Sequence, residues 1–117
     1  MPFFVDPGEE YEAVSVGVVE QSVLAPTNIR GEDHFLIVLT NPSLTETFYG
    51  ACASSPNGVT QWTPELNDEF AEMAPGATRR MLLPADRLFA RVTGRFGTAP
   101  DTIRLTTTKL RQATRRG

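Results

Sequence analysis

The chain has 117 residues, a net charge of −3, and 40% hydrophobic against 21% charged residues, which is typical of one globular domain with its own core. This balance excludes an intrinsically disordered chain. The single cysteine, Cys52, excludes an internal disulfide and a two-cysteine metal site, and no run of about 20 apolar residues could span a membrane as a helix.

β-branched residues are abundant: 14 Thr, 9 Val and 3 Ile make up about a fifth of the chain. Their side chains are stiff at χ1 and suit a pleated sheet better than a helix. Nine glycines and nine prolines, spread along the whole length, supply frequent turns. The composition therefore predicts an all-β protein.

Residues 1–10 are predicted to form an N-terminal arm, because the apolar Phe3, Phe4 and Val5 are followed by the chain-breaking sequence at 6–8. This start has no basic segment and no long apolar run, so we expect no secretory signal. Residues 11–20 alternate, with three valines at 14, 16 and 18 on one face, which indicates a half-buried strand. Residues 23–33 contain Pro26, an asparagine and a glycine, and are predicted to be a loop.

Residues 34–40 give the strongest strand signal. Their apolar residues fall on both faces, so we expect a central strand covered on both sides. Residues 47–53 and 59–66 flank a turn-rich stretch and predict a hairpin, whose second strand Pro64 would place at a sheet edge or bulge. Leu66, Phe70 and Met73 have helical spacing, and either one or two helical turns or extended and loop structure fits this segment.

Three further strands are predicted at 77–83, 87–95 and 102–110, and in the second of them residues 88, 90, 92 and 94 share one face. About seven strands, with turn signals every ten residues or so, indicate a single antiparallel β-sandwich of jelly-roll or immunoglobulin-like type. The predicted domain spans residues 11–110, and residues 111–117 form a basic C-terminal tail.

Few residues suit catalysis. His34 is the single histidine, and although a pair with Asp33 is conceivable, a polar residue at the strand boundary is the simpler interpretation. No serine sits in a glycine-flanked elbow, and no phosphate-binding loop is present. The acidic residues at 65, 68, 69 and 72 lack the spacing of a calcium loop and predict a solvated face. We therefore expect no enzyme and no cofactor, with Cys52 as a small buried hydrophobe.

Charge is distributed unevenly along the chain. Residues 1–76 carry twelve acids and one base, for a net −11, whereas residues 77–117 carry ten bases and two acids, for a net +8. Acidic and basic strands could pair within one fold, or a bipolar surface could favour head-to-tail association of copies. Arginine residues lie among aromatic ones in the second half, a pattern that is compatible with nucleic-acid binding, but the pI near 5.1 argues against this function.

Two sets of residues are candidates for binding. Phe3, Phe4 and Val5 on the arm either fold back on the domain or dock on a partner, and the tail contributes basic residues of opposite sign to the first half, namely Arg111, Arg115 and Arg116. As an alternative, Trp62 and Tyr49 could form an aromatic platform for sugar rings, although such residues in a hairpin are more often core or interface residues.

The second half has a characteristic sequence pattern. It consists of a turn at 75–77, a Leu-Pro step at 83–84, the stretch Arg-x-x-x-Arg-x-Thr-Gly at 87–94 and a threonine-rich last strand at 102–107. In this it resembles the small all-β accessory proteins of tailed-phage virions, which include capsid decoration (cement) proteins and β-sandwich neck or tail components. The resemblance covers about half of the chain and carries over no functional residues.

The resemblance implies a viral structural protein made in the host cytoplasm and located in the virion, most plainly a capsid decoration protein bound to the major coat protein. It implies many symmetric copies, and trimers are common among decoration proteins. The alternatives are a neck or tail component, bound to other virion proteins, and a carbohydrate- or ligand-binding module for host recognition. No membrane partner is expected.

Overall fold

The computed structural model describes residues 11–29, 34–65, 68–84 and 88–110, and in these ranges the chain forms eight strands and no helix. In chain order the strands are β1 (Glu12–Val16), β2 (Gln21–Asn28), β3 (His34–Thr40), β4 (Phe48–Ser55), β5 (Thr63–Pro64), β6 (Thr78–Pro84), β7 (Phe89–Phe96) and β8 (Asp101–Leu110). The predicted arm and tail, residues 1–10 and 111–117, lie outside the described residues.

The strands form two four-stranded antiparallel sheets, in the orders β1-β8-β3-β6 and β2-β7-β4-β5. Every connection crosses from one sheet to the other except the β4–β5 hairpin. This is the strand order of a jelly roll, so the predicted β-sandwich is confirmed and its jelly-roll form is the one adopted.

The core lies between the sheets and follows the alternation of the strands. β3 buries Phe35, Ile37 and Leu39, and β7 buries Ala90, Val92 and Phe96 together with Gly94. Residues 90, 92 and 94 share one face of this strand, as predicted, and that face is the inner one. β3 is an interior strand, as predicted, but its outward-facing Leu36 and Val38 are only half-buried rather than fully covered.

The prediction of a loop at 23–33 was wrong for residues 23–28, which belong to β2. This strand lies at the edge of its sheet, and its pairing with β7 shifts register between Ser22 and Leu24 and again between Leu24 and Thr27. Bulges on an edge strand tolerate a proline and break the period of two, so the local pattern around Pro26 gave no strand signal. This additional strand raises the count from seven to eight.

The strand predicted at 11–20 ends at Val16, where the chain crosses to the other sheet. Val16 is buried as expected, but Val18 is 43% exposed rather than part of the inner face. The side chain of Gln21 stabilises this crossing, because its Oε1 accepts from Gly17 N at 2.9 Å and its Nε2 donates to Ser15 O at 2.9 Å. The Gln21 side chain thus makes, at this crossing, the hydrogen bonds to the backbone that a neighbouring strand makes within a sheet.

The predicted pairing of the hairpin is confirmed, with Ala53 paired to Pro64 in the edge strand β5, but the second strand is only Thr63–Pro64 rather than the predicted 59–66. The helical alternative for 66–73 was wrong within the described residues. Met73 instead exchanges two backbone hydrogen bonds with Phe48, and Gly50 N donates to Phe70 O at 2.8 Å. The buried Phe70 and Met73 side chains close this side of the core as irregular extended structure.

The topology interleaves the two oppositely charged parts of the sequence. Five of the six strand ladders join a strand of residues 1–76 to a strand of residues 77–117, the exception being β4–β5. Of the strands from the first part, however, only β1 carries an acidic residue, Glu12. The strand ladders therefore join the two parts of the sequence without pairing acidic strands with basic ones, and both charge hypotheses stay predictions.

Candidate functional site

One end of the sandwich gathers four connections. β1 ends beside the start of β8 (Val16 with Asp101), β3 ends beside the start of β6 (Thr40 with Thr78), and β7 ends beside the start of β4 (Phe96 with Phe48). The connections 17–20, 41–47, 97–100 and the described part of 65–77 therefore lie together, and we call this the loop end. Val59, in the connection 56–62, lies at the opposite end.

The loop end presents large apolar side chains to solvent. Val18 is 43% exposed, Val19 75% and Leu44 92%, and we call these three residues the apolar tips. A single exposed aliphatic residue is ordinary on a protein surface. These three side chains lie on two of the loops at this end, the connections 17–20 and 41–47, and together they make it a candidate protein-binding surface.

The loop that carries Leu44 is held from inside by Asn41. This side chain is fully buried, and its Nδ2 donates to Glu46 O at 2.8 Å and to Met73 O at 3.1 Å, while its Oδ1 accepts from Ser43 N at 3.1 Å. Ser43 Oγ in turn accepts from the backbone N–H of Glu46 at 2.9 Å. The loop conformation is therefore fixed before any partner arrives, which lowers the entropy cost of binding.

Glu46 ties this loop to the neighbouring one. Its Oε1 accepts from Thr98 N at 2.8 Å and from Ala99 N at 3.1 Å, and its Oε2 accepts from Thr98 Oγ1 at 2.7 Å. These hydrogen bonds, the one from the Thr98 backbone first among them, hold the pKa of the Glu46 carboxyl below its ordinary value of 4.5.

A pH dependence follows from Glu46. Because its pKa is lower in the folded than in the unfolded chain, its contribution to stability is present above pH 4.5 and is lost as the pH falls through the folded-state pKa. We expect urea midpoints measured from pH 7 to pH 3 to show a smaller acid-side decline in Glu46→Gln than in the wild type, since glutamine keeps the shape without the charge. Glu72→Gln, an exposed carboxylate in the connection 65–77, should decline like the wild type. Identical curves for all three proteins would contradict the assignment.

The two predicted aromatic residues lie on the outer face of the second sheet, and each is covered on one side by an arginine of β7. The guanidinium carbon of Arg91 is 4.4 Å from the centroid of the Trp62 ring, and that of Arg95 is 4.7 Å from the Tyr49 ring. Trp62 Nε1 also donates to Val59 O at 3.2 Å. Arg91 and Arg95 are four residues apart on β7, roughly 13 Å, so the rings do not form one continuous platform.

The remaining predicted site residues lie outside the described residues, namely Phe3, Phe4, Val5, Arg111, Arg115 and Arg116. The apolar tips, in contrast, were not found from the sequence. The signal available was an aliphatic residue inside a segment rich in turn formers, such as Leu44 after Asn41-Pro42-Ser43, but assembling three such residues requires knowledge of the strand order.

A groove of about 720 Å³ opens between the edge strands β5 and β6. Its walls include Pro64, Leu82 and Pro84, with Glu65 and Arg80 as charged neighbours. Neither His34 nor Cys52 lines it, so the groove does not pair a thiol or serine with an imidazole base.

Cys52 is fully buried in β4, as predicted, and burial, with Asp68 and Glu65 adding to it, raises the pKa of its thiol to about 12. A thiol in this environment stays protonated and is a poor nucleophile. Asp68, predicted to belong to a solvated acidic face, instead accepts from Cys52 N at 2.7 Å and Phe70 N at 2.9 Å. It is therefore a structural residue.

Among residues 11–29, 34–65, 68–84 and 88–110, no three His, Cys, Asp or Glu side chains are grouped so that they could hold a metal ion. The described part of the chain also contains no helix that is long and apolar enough to cross a membrane. No protein family, no curated protein and no solved structure matches the chain.

Proposed function

We propose that this chain is a structural protein of a tailed-phage virion that decorates the assembled capsid, and that it contacts the coat through its loop end. The observation that carries the proposal is the exposure of Val18, Val19 and Leu44 at one end of the sandwich, with the loop of Leu44 held rigid by internal hydrogen bonds. The sequence pattern of the second half, which resembles that of small all-β virion proteins, supports the assignment to a virus. The partner is then the major coat protein, and the site of action is the virion.

The mechanism is mechanical. Burying an aliphatic side chain against a partner contributes about 1.5–3 kcal/mol, and a preformed loop loses little conformational entropy in doing so. Each copy would oppose the separation of the coat subunits it bridges, and symmetric copies, for instance trimers, would multiply the effect over a shell. The predicted contacts of the arm and the basic tail would add to this surface.

Binding to coat shells tests the proposal. The probe is a shell assembled from the major coat protein of the virus that encodes this chain, and co-sedimentation gives the dissociation constant. We expect Leu44→Asp and Val19→Asp each to weaken binding at least about tenfold, equivalent to about 1.4 kcal/mol, because a carboxylate would have to be desolvated at the contact.

Val59→Asp is the matched control, since Val59 is as exposed as Val19, 75% in each case, but lies at the opposite end. It should bind like the wild type. Equal binding by all three variants would reject the loop end as the contact surface. Loss of binding only on deletion of residues 1–6 would assign the contact to the arm instead, and no binding of the wild type would reject capsid decoration.

A ligand-binding module is the second candidate, and the placement of Trp62 and Tyr49 on one sheet face favours it. The arginines over their rings leave one side of each ring closed to a stacking sugar and add positive charge, so an acidic glycan fits this face better than a neutral one. Glycan-array binding that is lost in Trp62→Ala would favour this candidate over decoration.

A further inference from the structure

The first sheet has an apolar area on its outer face, away from the core. Leu36 of β3 pairs directly with Leu82 of β6, and both alternate with buried neighbours and therefore point outward. Leu82 is 47% exposed, while Leu36 and the nearby Val38 are half-buried. We call Leu36, Val38 and Leu82 the outer patch.

The N-terminal arm begins on this same sheet. Tyr11, the first described residue, leads directly into the edge strand β1, and its ring lies 4.7 Å from the guanidinium carbon of Arg104 on β8. Arg104 alternates with the buried Ile103 and Leu105, so its side chain points to the outer face. The Tyr11 side chain therefore lies on the face that carries the outer patch.

The sheet extends beyond the point where the arm joins it. The last pair described is Glu12 with Leu105, and β8 continues for five more residues to Leu110. The arm sequence contains Asp6-Pro7-Gly8, which favours a chain reversal, and a return of Phe3, Phe4 and Val5 towards β3 and β6 requires such a reversal.

The distances permit this path. Two strand spacings separate β1 from β3 and three separate β1 from β6, about 10 and 14 Å respectively. The seven residues from Phe4 to Tyr11 span up to about 25 Å when extended. The arm also carries Asp6, Glu9 and Glu10, which complement the exposed Arg80 and Arg104 on this face.

We propose that the outer patch of the first sheet is the docking site of this chain's own arm, and that it receives Phe3, Phe4 and Val5. The docked arm covers aliphatic surface that is otherwise in water and keeps two phenylalanines out of solvent. An arm stored in this way is available to a partner only after it leaves the patch, so docking lowers the arm's apparent affinity for that partner. The proposal does not depend on capsid binding.

A designed cysteine pair tests the proposal on the full chain. Phe4→Cys with Leu82→Cys places one thiol on the arm and one on the exposed part of the patch, and the native Cys52 is buried and unreactive. Under mild oxidation we expect a disulfide within one chain, detected as loss of the two introduced thiols, with that of Cys52 retained, at monomer mass. It should form at least about tenfold faster than in the control pair Phe4→Cys with Leu44→Cys, whose second thiol is exposed at the loop end.

Each outcome decides the matter. A disulfide-linked dimer would show that the patch receives the arm of a second copy and would overturn docking within one chain. A rate equal to that of the control pair would overturn docking on the patch altogether. Proteolysis is an independent readout, because a docked arm is protected from cleavage. Chymotrypsin should cleave after Phe3 and Phe4 at least about tenfold faster in Leu82→Asp than in the wild type, whereas Leu44→Asp should not change the rate. Equal cleavage rates in all three proteins would also overturn the proposal.

Discussion

Replacing Gly94 by alanine is expected to lower the free energy of unfolding by about 1–3 kcal/mol, the cost of overfilling a packed core. Gly94 of β7 pairs with Gly50 of β4, and the fully buried ring of Phe48 lies over the two glycines. A Cβ at position 94 would fall inside contact distance of Phe48 Cζ, and 2.7 Å from its Cε1. Urea unfolding followed by tryptophan fluorescence measures the change.

A control and a rescue make this prediction specific. Gly97→Ala should change stability by less than about 0.5 kcal/mol, because the nearest atom to its new Cβ is 3.6 Å away. Phe48→Leu shortens the side chain that collides with residue 94, so the double variant with Gly94→Ala should be more stable than the sum of the single effects predicts. Strict additivity would mean that the ring is not the obstacle.

The second large effect is expected at Asn41, where alanine should cost at least about 2 kcal/mol. The substitution removes the Nδ2 donor from the carbonyl group of Glu46 and leaves Ser43 N without its acceptor, whereas the carbonyl groups of Met73 and Ala74 lose one of two donors each. Each buried polar group that loses its partner costs about 1–3 kcal/mol, with water recovering part of it near the surface. Chemical unfolding of the purified variant measures the loss.

Asn41 also allows stability and binding to be separated. Thr45→Ala changes an exposed side chain of the same loop and should alter stability by less than about 0.5 kcal/mol. If the loop end is the contact surface, Asn41→Ala should weaken shell binding even where the domain remains folded, because Leu44 is no longer held in place. A stable Asn41→Ala protein would show that the hydrogen-bond network does not support the loop.

The local pattern of the sequence was sufficient for much of the fold. Most of the seven residues of β3 are apolar, which predicts a buried strand. In β7, small or aliphatic residues alternate with arginine and threonine over residues 90–95, which predicts a strand with one buried face. The β4–β5 hairpin follows from its turn sequence and from Pro64. Each of these features depends on residues one to five positions apart in the chain. Such short-range patterns can therefore be recognised from the sequence alone.

The strand β2 shows why other elements were not predictable. An edge strand needs only one partner, and two register shifts let it accept Pro26, so neither alternation nor composition marks it. The irregular segment that carries Phe70 and Met73 is similar, since its helical spacing was overridden by backbone hydrogen bonds to β4. In both cases a long-range partner decided the local conformation.

The candidate site depended on tertiary structure almost entirely. Leu44 and Val19 are ordinary loop residues in the sequence, and the jelly-roll strand order alone brings them to one end. Asn41 reaches acceptors 32 and 33 residues away, and the ring of Phe48 fills the space over Gly94. By itself the sequence determined that the chain is an all-β sandwich whose strands alternate between core and solvent, because that information is local. Which loops meet, and which apolar residues remain exposed together, was decided only by strand pairing across the whole chain.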